Sequence, residues 1–96
     1  MTTQETVVFI TGANRGIGKA IAEGYLKEGV KRIYAAARKP VDLAQLIALD
    51  PNRVVPVELD VTNQGQIDNA AAFAKDVNVL INNAGVASWG GLLVQE

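Results

Sequence analysis

Thr11-Gly12-Ala13-Asn14-Arg15-Gly16-Ile17-Gly18 is the stretch on which the reading of this chain turns. Before it, Thr6-Val7-Val8-Phe9-Ile10-Thr11 is nearly continuous in β-branched and aromatic residues, the pattern of a strand buried on both faces. After it the period changes. Ile17, Ile21 and Tyr25 recur every four residues, with Ala20 and Gly24 beside them, as on one face of a helix over residues 16–28. Gly29 stands where a C-terminal helix cap is expected. Between strand and helix, Gly12 permits a tight turn, Gly16 leaves no side chain where a pyrophosphate must meet the backbone, and Gly18 lets the helix lie close to the sheet. The helix's N–H groups and positive dipole end would face such an anion. A glycine-rich turn that merely joins strand to helix is the plainer alternative, and the flanking elements weigh against it.

The alternation continues. Ile33-Tyr34-Ala35-Ala36-Ala37 reads as a second strand, and Leu43, Leu46 and Ile47 have helical spacing in a short helix closed by Asp50-Pro51-Asn52. Val54-Val55-Pro56-Val57-Glu58-Leu59 is a third strand, and Pro56, which cannot donate to a ladder, suits an edge. Thr62 or Asn63 could cap a helix carrying Ile67, Ala70, Ala71 and Ala74. Val77 to Ile81 is a fourth strand, running into Asn82-Asn83-Ala84-Gly85. The order βαβαβαβ predicts an α/β fold of three layers, a parallel sheet with strand order 3-2-1-4 and helices on both faces. Repeats, linkers and low-complexity tracts are absent from the pattern, so residues 1–96 read as one domain.

Composition removes other classes of function. With no cysteine and no histidine, thiolate chemistry and the commonest metal ligand and general base are unavailable, and no metal site is expected. A formal net charge of −1 gives no footprint for nucleic acid or for an acidic membrane surface. No apolar run approaches the roughly 18 residues of a membrane span, and Met1-Thr2-Thr3-Gln4-Glu5 lacks a signal-peptide pattern. A cytoplasmic location is the expectation.

The spacing T-G-x-x-x-G-I-G at Thr11–Gly18 resembles that of the short-chain dehydrogenase/reductase family, and two further stretches match in register. Leu59-Asp60-Val61 resembles the family's acidic residue after the third strand, and Asn82-Asn83-Ala84-Gly85 its N-N-A-G motif. The resemblance covers Val7 to Gly85 and implies the N-terminal portion of a Rossmann domain, truncated before the half that carries catalysis. It implies cofactor contacts from Gly12, Asn14, Arg15, Gly16, Ile17 and Gly18 in the turn. It also implies that the Asp60 carboxylate contacts the adenine ring with Val61 supporting it, and that Asn82 and Ala84, with Gly85, line the adenine-ribose side and brace the sheet.

NAD-preferring members place an acid after the second strand, roughly 20 residues beyond the glycine turn, to hold the ribose 2′-hydroxyl. Ala37 stands there, with Arg38 next. A carboxylate would repel a 2′-phosphate, whereas a guanidinium can grip it bidentately. Arg15 adds a second cation, so the expected cofactor is NADP rather than NAD. Each arginine taken singly is equally compatible with a solvated surface charge.

Catalysis in the family, by the same resemblance, uses a Tyr-x-x-x-Lys pair, a serine before it and a later asparagine. Tyr25 is followed four residues on by Gly29, and Tyr34 by Arg38 on a predicted strand. Ser88, the single serine, follows the fourth strand where the family's serine follows the fifth. No residue is assigned a catalytic role. Three readings follow: part of an NADP-dependent oxidoreductase of carbonyls or alcohols, a nucleotide-binding or assembly module, or a self-associating remnant. Because a fifth strand would normally cover strand four, Val77, Val79, Leu80 and Ile81 form an apolar edge from which self-association is expected. Leu92-Leu93-Val94 could pack over that gap.

Overall fold

The computed structural model describes residues 2–83. Strand β1 (Val7–Thr11) is buried at all five positions and pairs in parallel with β2 (Arg32–Ala37) on one side and β4 (Val79–Asn82) on the other. Strand β3 (Val54–Glu58) pairs in parallel with β2, so the order is β3-β2-β1-β4. The fold is the expected parallel α/β sheet, and Pro56 lies on an edge strand, opposite Ala35.

Alternation along β1 divides the core. Val8 and Ile10 face one cluster with Ile33 of β2 and with Ala22, Leu26, Leu43 and Leu46, drawn from helices α1 (Gly16–Glu28) and α2 (Ala44–Leu49) and a 3-10 turn at Pro40–Leu43. Val7 and Phe9 face the other, with Tyr34, Val57, Ile67 and Ala70, under helix α3 (Gln64–Phe73). Two apolar faces on one central strand explain why that segment is an unbroken apolar run.

Helix α1 differs from the expected facing. Its buried residues are Gly18, Ala22 and Leu26, with Ile21 and Tyr25 partly buried, while Ile17 is 71% exposed. The buried row is thus shifted by one residue from the expected one, and Ile17, in the first turn, lines the cavity beside the glycine turn. The helix ends at Gly29, whose N–H donates to the Leu26 and Tyr25 carbonyls. Arg53 then ties this end to β3: its guanidinium donates to Leu26 O, Val30 O and the Asp50 carboxylate. Asn63, not Thr62, caps α3, its Oδ1 accepting from Gln66 N at 3.0 Å. β4 begins at Val79, and the side chain of Asn78 just before it ties to the start of β1, accepting from Val7 N and donating to Glu5 O. Ala84, Gly85, Ser88 and Leu92-Leu93-Val94 lie outside the described residues.

Candidate cofactor-binding site

The connections that follow the four strands converge at the carboxyl end of the sheet. They line a cavity of about 1150 Å³ there, where strand order reverses between β1 and β4. That crevice is where open parallel sheets take ligands. From the turn after β1 come Gly12, Asn14, Arg15, Gly16 and Ile17. Gly12 and Gly16 have φ of 64° and 60°, a region that side-chain-bearing residues avoid, and this is why glycine recurs in the turn. Ala13 N donates to Ala36 O at 3.1 Å and pins the turn to β2. Arg15 is the N-cap of α1 and makes no side-chain cap, so the first turn of α1 meets the cavity without a side-chain acceptor of its own.

The second wall follows β2: Ala37, Arg38, Lys39 and Asp42. The third follows β3: Leu59, Asp60, Val61 and Thr62. Thr62 donates to Asp60 Oδ1 from its hydroxyl at 2.6 Å and from its N–H at 2.9 Å. These bonds, the hydroxyl's foremost, hold the Asp60 carboxyl below the ordinary aspartate range, and the charge of Arg38 adds to them. Among the described residues the ion pairs, Arg32–Asp76 and Arg53–Asp50, involve none of the cavity's charges. Three cations, Arg15, Arg38 and Lys39, therefore share one concavity with two carboxylates.

Of the residues expected from sequence, the cavity gathers Gly12, Asn14, Arg15, Gly16, Ile17, Arg38, Asp60 and Val61. Gly18 lies behind the turn, against the Gly12 carbonyl. Asn82 is at the end of β4, where its Oδ1 accepts from Thr11 Oγ1 at 3.2 Å; it does not line the cavity. Ala84 and Gly85 lie outside the described residues. Asn83 was not among the expected contacts, yet it lines the cavity and donates from Nδ2 to Gly12 O at 3.3 Å and from N to Thr11 Oγ1 at 2.9 Å. Its place as the second asparagine of the pair was the signal for it. Lys39, Asp42 and Thr62 are further additions, each within four residues of an expected contact.

Tyr34 is a strand side chain. Its hydroxyl donates to Asp76 Oδ1 at 2.7 Å, and its ring stacks on Phe9 and meets Phe73 edge-on. Burial, then the bond to Asp76, pushes the phenol above its usual value, the opposite of what a proton-transferring tyrosine needs.

The family model described as short chain dehydrogenase matches residues 6–94. The chain belongs to the short-chain dehydrogenase family. Within it, the chain is 39% identical over 98 residues to the short chain dehydrogenase tazN of Aspergillus terreus, covering 93% of this chain and 21% of that protein. It is 44% identical over 85 residues to oxidoreductase BOA17 of Botryotinia fuckeliana, covering 83% of this chain and 31% of the other. Among solved structures, a short chain dehydrogenase from Burkholderia cenocepacia in complex with NADP superposes with a TM-score of 0.79 at 44% identity, over 90% of this chain and 35% of that one. The chain thus spans between 21% and 36% of the length of the curated short-chain dehydrogenases it matches. No helix among the described residues is long and apolar enough to cross a membrane.

Proposed function

We propose that this chain is the NADP(H)-binding part of a short-chain dehydrogenase that transfers hydride between nicotinamide and a carbonyl or alcohol substrate. The observation that carries the reading is the position of Arg38. It stands where NAD-preferring proteins keep an acid, and it lines the same cavity as Arg15, which comes from the glycine turn. A 2′-phosphate is a dianion near neutral pH and matches two guanidinium groups that form no ion pair among the described residues, although the charge of Arg38 is felt by Asp60. The residues fit the cofactor's other half-charges as well. The open space over Gly16, where a Cβ would meet nothing within 4 Å, admits a pyrophosphate to the uncapped start of α1. Asp60 is an acceptor for an adenine amine. When bound, NADPH would give hydride to a carbonyl and NADP would take it from an alcohol, while this chain's residues would bind and orient the adenosine-phosphate end.

Titration with 2′-AMP and 5′-AMP tests the assignment. Tighter binding of 2′-AMP is expected. Equal affinity would remove the preference for NADP, and no binding of either would favour a remnant without a nucleotide site.

Two accompanying proposals concern the chain's setting. Self-association through β4 is supported by its place at one end of the sheet and by Val79, Leu80 and Ile81, all only half-buried. A cytoplasmic location agrees with a nicotinamide cofactor and with a chain lacking cysteine.

A further inference from the structure

The connection from β3 to α3 is held by an arrangement that differs from an ordinary helix start. Asn63 is the N-cap, and Gln66, three residues on, is where a glutamine normally returns its side chain to the N-cap N–H. Here Asn63 N donates instead to Asp60 O at 2.9 Å. Gln66 Oε1 reaches past the cap and accepts from Asp60 N at 2.6 Å. Asp60 is thereby pinned at its N–H by Gln66 and at its carbonyl by Asn63. Both donors of Thr62 fall on Oδ1, leaving Oδ2 with no hydrogen bond among the described residues.

We propose that Gln66 is a positioning residue for the adenosine side of the cavity. By fixing the Asp60 backbone, it presents Oδ2 as a preset acceptor for the exocyclic amine of an adenine. The inference rests on the dinucleotide reading of the cavity. Gln66 does not line that cavity and does not touch the nucleotide; it acts through Asp60. Preorganisation of this kind acts on affinity, because the cost of ordering an acceptor is met before the ligand arrives.

Gln66→Met keeps the length of the side chain and removes the acceptor, while Gln66→Glu keeps an acceptor at the same reach. Three probes are titrated against each: 5′-AMP, 2′-AMP and inorganic pyrophosphate. Gln66→Met is expected to weaken both nucleotides about three- to tenfold, the range of one neutral hydrogen bond, and to leave pyrophosphate at the glycine turn unchanged. Gln66→Glu is expected to restore most of the nucleotide affinity. Equal loss for all three probes would show a general loosening and overturn the proposal. So would unaltered nucleotide binding in Gln66→Met, with the dinucleotide reading left standing. Failure of the parent chain to bind either nucleotide would overturn both.

Discussion

A β-carbon on Gly18 would overlap the carbonyl oxygen of Gly12 and lie 2.7 Å from Asn83 Nδ2. The first turn of α1 thus rests directly on the backbone of the glycine turn, and the Asn83 amide that donates to the Gly12 carbonyl closes the remaining space.

That contact predicts opposite outcomes for two glycines of one helix. Gly18→Ala must displace backbone and is expected to destabilise by about 3 kcal/mol, the upper end for overpacking. Gly24→Ala adds a methyl that meets nothing within 4 Å in a helix interior, and is expected to stabilise by about 0.5–1 kcal/mol. Urea denaturation of both variants checks the pair. A similar cost at both sites would show that the approach of α1 to the turn is not tight.

Arg38→Asp places a carboxylate where a 2′-phosphate is proposed to sit. Binding of 2′-AMP should weaken by about 1–3 kcal/mol, roughly fivefold to 150-fold, with 5′-AMP little changed. Calorimetric titration of the variant separates the outcomes: parallel loss of both ligands would place Arg38 away from the 2′ position.

Thr62→Val removes the hydroxyl whose bond contributes most to lowering the Asp60 carboxyl. Its titration, followed by carbon NMR, should move up towards the ordinary aspartate range near 3.9. Because the folded value is depressed, the stabilisation from this group is present above the unfolded value and lost as pH falls through the folded one. The parent chain should therefore show a small loss of stability below about pH 4 that is smaller in Thr62→Val. An unchanged Asp60 titration would assign the shift to the Thr62 N–H and to Arg38 instead.

Tyr34→Phe deletes the donor to Asp76 and leaves the ring in place. A cost of about 1–2 kcal/mol is expected, that of one part-buried bond to a charged acceptor. The raised phenol adds an alkaline signature. Tyrosine in the unfolded chain ionises near pH 10 while Tyr34 stays neutral in the fold, so stability should fall as pH rises from about 10 towards the folded value. The variant should lack that component, and an identical alkaline profile would show that Tyr34 does not couple to folding.

Light scattering tests the β4 edge. Among the described residues no strand pairs with the outer side of β4, and that edge, beside half-buried Val79 and Ile81, is a template for a second copy, most simply antiparallel across a twofold. A mass near twice 10.2 kDa or above is expected. A monodisperse monomer would show the edge to be tolerated.

The sheet order was legible in the chain because its evidence is local. Strands buried on both faces must be unbroken apolar runs, Pro56 can sit only on an edge, and parallel neighbours joined by helices have one crossover hand. The glycine spacing was equally legible, since positive φ at Gly12 and Gly16 restricts which residues can stand there. What tertiary structure decided were the facings and the long-range bonds. Ile17 belongs by its spacing to an apolar row of α1, yet the sheet takes the neighbouring row of Gly18, Ala22 and Leu26, and Ile17 in the first turn faces the cavity. Asn82 and Asn83 are the same residue type side by side. Asn82 is in register with Thr11 and is used by the sheet, while Asn83 is one step past the last pair and reaches the cavity. Gln66 carried no signal beyond that of a helix cap. Its bond to Asp60 exists because Asn63 N is already taken by the Asp60 carbonyl, a competition among backbone groups that only the folded connection can settle.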